Sequence, residues 1–230
     1  MSPPVNSHGS PASLMPAIAE FIRQYAPGRM LRVGIDGVDG VGKTTLADTL
    51  AQVVNASGRP VIRASVDGFH NPREMRYRRG KSSPEGFYRD SYNYADLRRV
   101  LLDPLGPGGS GIHCPAIFDH RTDLALPLNW SVAEPDAVLM FDGIFLHRAE
   151  LRDVWDLSIF LHAPFDVTIP RGAGRGPGYG LPDVQDPSNR RYIEGQQMYL
   201  RDNDPQALAD IVIDYSDFTN PVMKACRWPV

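Results

Sequence analysis

Residues 31–45 read LRVGIDGVDGVGKTT. Leu31, Val33 and Ile35 form a short apolar run suited to a buried strand. Gly37, Gly42, Lys43 and Thr44 then fill the pattern G-x-x-x-x-G-K-[ST], a phosphate-binding loop. A polyphosphate must be wrapped by several backbone N–H groups at once, and glycines allow the required angles while keeping side chains away. Leu46, Leu50, Val53 and Val54 follow at helical spacing, so a helix N-terminus points at the anion. Strand, loop and helix stand in the order the motif needs. Gly37, Val38, Asp39, Gly40, Val41, Gly42, Lys43, Thr44 and Thr45 are the expected nucleotide-contacting run. Within it Lys43 would reach the β- and γ-phosphates, and the Thr44 hydroxyl would ligate Mg²⁺.

Outward from the loop, apolar runs alternate with helical patterns. A lead-in helix is expected from Leu14 to Tyr25, and residues 1–13 read as a loose polar tail ahead of one domain over 14–230. Further strands are expected at Val61–Val66, Ala137–Phe141, Leu157–Leu161 and Ile211–Ile213. Short helices are expected at 96–102 and 149–154, longer ones from Phe165 and over 187–200, and a small strand or hairpin arm over 112–118. From Asp214 onward the chain reads as a polar tail. The alternation predicts an α/β three-layer sandwich with a mainly five-stranded parallel sheet flanked by helices, plus a small lid and substrate-side insertions. Ligands of such sheets sit off the carboxyl ends of the strands, where Gly37, Asp67 and Asp142 all fall.

Asp67 follows the second strand. It is either a proton acceptor facing the terminal phosphate or a turn aspartate before Gly68. Asp142, after the run AVLMF, is a candidate to hold Mg²⁺ directly or through water, or again a strand-end turn residue. Arg171 and Arg175, in the glycine-rich stretch RGAGRGPGYG, either clamp phosphate oxygens on a closing lid or are solvated loop charges. The dense basic cluster Arg73, Arg76, Arg78, Arg79 and Lys81 is an anion site or a solvated face. Asp39 sits inside the loop, where a carboxylate facing polyphosphate is costly; it is expected to point to water or to a second substrate's hydroxyls. His70, His120 and Arg121 are placed to hydrogen-bond a sugar or base.

The chain carries 24 Lys and Arg against 27 Asp and Glu, a net charge of −3, which argues against nucleic acid as partner. No apolar run is long enough to span a bilayer, and the N-terminus lacks the layout of a signal peptide. Cys114 and Cys226 are far apart and match no spacing motif, so reduced thiols in a cytoplasmic protein are expected. His113 and Cys114 have no further ligand at zinc-site spacing.

The order of motifs resembles the uridine kinase-like branch of P-loop kinases, alongside phosphoribulokinase, pantothenate kinase and ribosylnicotinamide kinase relatives. The pieces are GVDGVGKTT (37–45), VDGFH (66–70), YNY (92–94), IFDHRTD (117–123), LMFDGIFL (139–146), residues 165–175, RRYIEGQQMYL (190–200) and ADIVIDYSD (209–217). Together they cover about residues 30 to 220. The resemblance implies ATP- and Mg²⁺-dependent phosphotransfer to a small-molecule hydroxyl, a nucleoside such as uridine or cytidine being the first expectation. It makes Asp67 the general base, Asp142 a Mg²⁺-binding acid, and Arg171 and Arg175 phosphate-touching lid residues. It sets Asn93 at a sugar-binding position usually held by an acid, and Phe118, His120 and Arg121 near the base. Asp39 stands where uridine kinases usually carry serine or alanine, and the lid has fewer arginines than relatives do. A nucleoside monophosphate kinase and a non-catalytic nucleotide-binding regulator therefore stay open as alternatives, as does a homo-oligomer.

Overall fold

The computed structural model describes residues 11–176 and 180–227. Helix α1 (Pro11–Gln24) leads into β1 (Leu31–Gly37), the loop, α2 (Lys43–Ala56) and β2 (Val61–Ser65). A 3₁₀ turn, Val66–Phe69, then opens an excursion holding α3 (Arg73–Arg76), α4 (Pro84–Asp90) and α5 (Tyr94–Leu97), which continues as a π-helical turn over Arg98–Leu102. Two small antiparallel ribbons follow. β3 (Ile112–His113) pairs with β6 (Ser131–Val132), and β4 (Phe118–Asp119) pairs with β5 (Leu124–Ala125). The chain returns through β7 (Val138–Asp142), β8 (Leu157–His162), α6 (Phe165–Ala173), α7 (Arg190–Asn203), α8 (Pro205–Leu208), β9 (Ile211–Asp214) and β10 (Val222–Cys226).

The main sheet has six strands in the order β10-β9-β8-β1-β7-β2. Five run parallel, as the sequence predicts, and β10 is antiparallel to β9. The expected polar tail after Asp214 is thus corrected: Val222–Cys226 forms an edge strand. Its half-exposed alternation, with Lys224 in the middle, hid it. Residues 149–154 form successive turns instead of the expected helix, with Leu151 bonded to the Arg148 carbonyl and Val154 to that of Leu151. Helix α1 starts at Pro11, ahead of Leu14; the rest of the expected tail, residues 1–10, lies outside the described residues. Among the described residues, no helix is long and apolar enough to cross a membrane.

β1 shows why the sheet has helices on both faces. Leu31, Val33 and Ile35 are fully buried against α1 and α2, in one core with Leu46, Leu50 and Val54. On the other face a second core gathers Leu139 and Phe141 of β7 with Phe69, Phe87, Phe145 and Tyr199. Register then aligns the strand ends: Asp142 stands level with Ile35 and with Ser65, so the phosphate loop, Asp67 and Asp142 leave the sheet together.

Arg59 ties the lead-in helix to this frame. It is 5% exposed and donates to the carbonyls of Ile22 (2.6 Å), Tyr25 (2.7 Å), Arg29 (2.8 Å) and Asp136 (2.9 Å). These include a terminal carbonyl of α1, which has no partner within the helix. Arg59→Met keeps the aliphatic stem and leaves buried acceptors unpaired. It is expected to cost about 3 kcal/mol, read as a lower urea midpoint with an unchanged slope.

Candidate active site

The loop is shaped by what presses on it. Gly40 has φ +76°, and a Cβ there would lie 2.2 Å from the Thr168 carbonyl oxygen of α6. Only glycine allows this approach. Lys43 is buried and donates to the Val38 carbonyl oxygen at 2.9 Å, folded back over the loop. The Thr44 hydroxyl donates to Asp142 Oδ2 at 2.7 Å, and Arg63 donates to Asp142 Oδ1 at 2.9 Å. Gly143 lets this strand end approach Val66, whose Cβ would be 2.7 Å from an added Cβ. That contact sets Asp142 beside the segment carrying Asp67.

The loop is also held from beneath. Asp36, the residue before Gly37, is fully buried. It accepts from the Gly37 N–H (2.7 Å), His147 Nδ1 (2.7 Å) and the Tyr199 hydroxyl. Tyr199 lies on α7, and one turn earlier Gln196 accepts the Asp39 N–H at 2.5 Å. Nothing in the sequence reading singled out Asp36, His147, Gln196 or Tyr199; their signal is spatial.

Two cavities open off the loop. The smaller, about 50 Å³, is lined by Lys43, Thr44, Ser65, Asp142 and neighbours. The larger, about 230 Å³, is lined by His70, Arg76, Tyr77, Phe87, His120, Asn189, Arg191 and Tyr192, among others. Asp39, Asp67, Tyr92 and Arg175 line both. The structure thus brings Asp39, Lys43, Thr44, Asp67, His70, His120, Asp142 and Arg175 together.

Outside the phosphate loop, four expected site residues line neither cavity. Asn93 caps α5, accepting from the Asp96 N–H at 3.0 Å. Phe118 is buried in the β4–β5 ribbon, and Arg121 is exposed on its turn. Arg171 turns to the C-terminal side, donating to the carbonyls of Tyr215 and Ser216 and lying 3.8 Å over the Phe218 ring. The basic cluster is largely neutralised from within: Arg78 and Arg79 pair with buried Asp90 at 2.5 and 2.9 Å, and Arg76 pairs with Asp123 at 2.9 Å. Of the expected lid over 171–180, residues 177–179 lie outside the described residues.

Asp67 keeps 61% of its side chain exposed, on the open side of the cleft. The crowded walls still push its carboxyl above the usual range. Nearby Asp142 adds to that push, and His120, Lys43 and Arg175 oppose it. Solvent access limits the size of that shift. Burial likewise raises Asp39, with Lys43 opposing and Asp67 adding. His70 stacks on His120 at 4.6 Å and lies 3.0 Å from the Asp67 carbonyl. Burial lowers its pKa to about 4, so the ring is neutral near pH 7.

The sequence matches the Phosphoribulokinase / Uridine kinase family over residues 32–177. It is 27% identical over 147 residues to a uridine kinase of Leuconostoc citreum (strain KM20), covering 61% of this chain and 66% of that protein. The matched part thus spans just under two thirds of that relative's length. Among solved structures, it resembles a possible uridine kinase from Bacillus stearothermophilus with a TM-score of 0.69 and 23% identity, over 87% of this chain and 97% of that one. A protein from Silicibacter sp. TM1040, assigned as a fructose transport system kinase, gives 0.64 and 23% over 84% and 95%. At these identities the two structures speak for the fold.

The depressed pKa of His70 makes a signed prediction. The unfolded chain takes up a proton near pH 6.5 and the folded one only near 4, so stability falls as pH drops through that window. The loss is at most about 3 kcal/mol. Urea midpoints measured from pH 7 to 4 should show this fall in the wild type and a smaller one in His70→Gln.

Proposed function

The chain belongs to the phosphoribulokinase/uridine kinase family, and on that premise we propose that it transfers the γ-phosphoryl group of ATP to a hydroxyl of a small-molecule acceptor, with Mg²⁺ at the loop. One observation carries this reading: Asp67 lines both the small cavity beside Lys43 and Thr44 and the larger aromatic-walled one. A base for this reaction must touch donor and acceptor at once.

In the mechanism Asp67 accepts the proton of the acceptor hydroxyl, whose oxygen attacks the γ-phosphorus in line. Its pKa, raised by the crowded walls of the cleft, makes it a better base than an ordinary carboxylate. Lys43 exchanges the Val38 carbonyl for phosphate oxygens, and the loop amides and Arg175 stabilise the transferring group's charge. Thr44 and Asp142 fit Mg²⁺. They are hard oxygen donors already in contact, and Arg63 fixes the carboxylate's orientation. When bound, the ion neutralises charge on the β- and γ-phosphate oxygens.

The larger cavity supports a nucleoside acceptor such as uridine or cytidine. Tyr77, Phe87, Tyr92 and Tyr192 offer ring faces, and His70 and His120 offer hydrogen-bonding edges beside Asp39. The same cavity disfavours a monophosphate acceptor. Arg76 is committed to the Asn71 carbonyl and Asp123, and Arg191 to the carbonyls of Arg76, Gly80, Lys81 and Ser83.

Asp67→Asn is expected to cut turnover about 10²- to 10⁴-fold while calorimetric ATP affinity changes little. Retained turnover overturns the base assignment. In a panel scored by ADP release, nucleosides should outperform nucleoside monophosphates and sugar phosphates. ATP binding without transfer to any acceptor overturns the kinase reading.

A further inference from the structure

Six of the twelve large apolar side chains exposed among the described residues lie on the small ribbons or on the segment that joins β5 to β6: Ile112, Leu124, Leu126, Leu128, Trp130 and Val132. Five of them alternate in sequence from Leu124 to Val132, and Leu124, Leu128, Trp130 and Val132 are 63%, 50%, 49% and 76% exposed. Ile112 is directly opposite Val132 in the β3–β6 ribbon, so the two extend one apolar stripe across strands. From Leu124 through Ala133 the sequence LALPLNWSVA holds no ionisable side chain. None of the six lines either cavity at the loop. Catalysis therefore does not account for them, and a contiguous exposed apolar strip marks a contact surface.

We propose that this strip is where two copies of the chain associate, each strip packing antiparallel on the other about a two-fold axis. An isologous contact requires a patch that complements itself. Alternating large apolar residues meet that demand across the middle of the strip, and the ends meet it by charge. Arg121 lies just before the strip and Glu134 just after it. Both are exposed, and neither side chain makes an ion pair among the described residues. An antiparallel two-fold sets Arg121 of each copy beside Glu134 of the other, twice per dimer. A parallel arrangement would set Arg121 against Arg121. Two acids near Arg121 in sequence are already held, Asp123 by Arg76 and the Arg73 N–H, and Asp119 by the Arg121 N–H and the Thr122 hydroxyl. Pro127 has no N–H and interrupts any hydrogen-bonded ladder along this edge, so the contact is one of side chains. Residues 1–10, MSPPVNSHGS, offer only Met1 and Val5 as large apolar side chains and do not match the strip.

The test is sedimentation of the full chain across micromolar concentrations. The wild type is expected to form a dimer. Leu128→Asp, at an exposed position, is expected to be monomeric with an unchanged circular-dichroism spectrum and melting temperature. Arg121→Glu sets carboxylate against carboxylate at both ends and should weaken association about ten-fold or more. Adding Glu134→Arg to that variant should restore it. A wild type that stays monomeric at high micromolar concentration overturns the proposal. So does a Leu128→Asp variant that still dimerises, or a double reversal that fails to recover association.

Discussion

Asp36 is a buried carboxylate, and the site is arranged around satisfying it. A charge removed from water is tolerated only when its lone pairs are engaged by well-placed donors. Here the three donors come from three parts of the chain: the Gly37 N–H of the loop, His147 from the β7–β8 connection and Tyr199 from α7. Meeting that demand fixes where α7 lies. α7 in turn carries Arg191, Tyr192 and Gln196 to the cleft. The phosphate loop and the acceptor wall are therefore positioned by one buried polar network. Its short range and low-dielectric setting make it sensitive to the loss of any member.

The electrostatics of the cleft follow from which charges are already matched. A run of arginines in sequence suggests an anion trap. In space, Asp90 and Asp123 have been brought against it, and Arg191 is committed to backbone carbonyls. The larger cavity is then lined by rings, by the carboxylates of Asp39 and Asp67, and by Arg175, Arg76 and Arg191, the last two already engaged by the Asn71 carbonyl, Asp123 and backbone carbonyls. That balance suits an uncharged hydroxyl compound entering beside a base. Burial pushes both the Asp39 and the Asp67 carboxyl up; Asp67 adds to the push on Asp39, and Asp142 adds to that on Asp67.

The sequence was legible where local chemistry dictates structure. The loop glycines, the apolar strands and the acids at strand ends each follow from residue type and spacing, and the parallel sheet follows from their alternation. It was less legible where a side chain's role depends on a distant partner. Asn93 looks like a ligand-binding amide until the Asp96 N–H is seen to occupy it. Arg171 looks like a phosphate clamp until the Tyr215 carbonyl and the Phe218 ring take it. β10 escaped notice because an edge strand needs only one buried face and tolerates a central lysine. Gln196 lies in a stretch that the resemblance covers, yet nothing in its spacing gives it a role; its bond to the Asp39 N–H exists only once α7 crosses the loop.

Asp39 shows what these two levels produce together. Its amide belongs to the donor side, held by Gln196 of α7. Its side chain lines both cavities, beside Lys43 and Thr44 in the smaller and His70 and Tyr92 in the larger. The neighbouring Gly40 is clamped against α6, the helix that leads to Arg175. A side chain at position 39 thus cannot move without disturbing a loop whose amides must face phosphate. A carboxylate there is costly beside a polyanion unless a cation offsets it, and Lys43 is the first charge to oppose the upward push of burial on Asp39. The residue that is least expected in a phosphate loop is in this way held between the two cavities, with its charge opposed by Lys43 and Arg175.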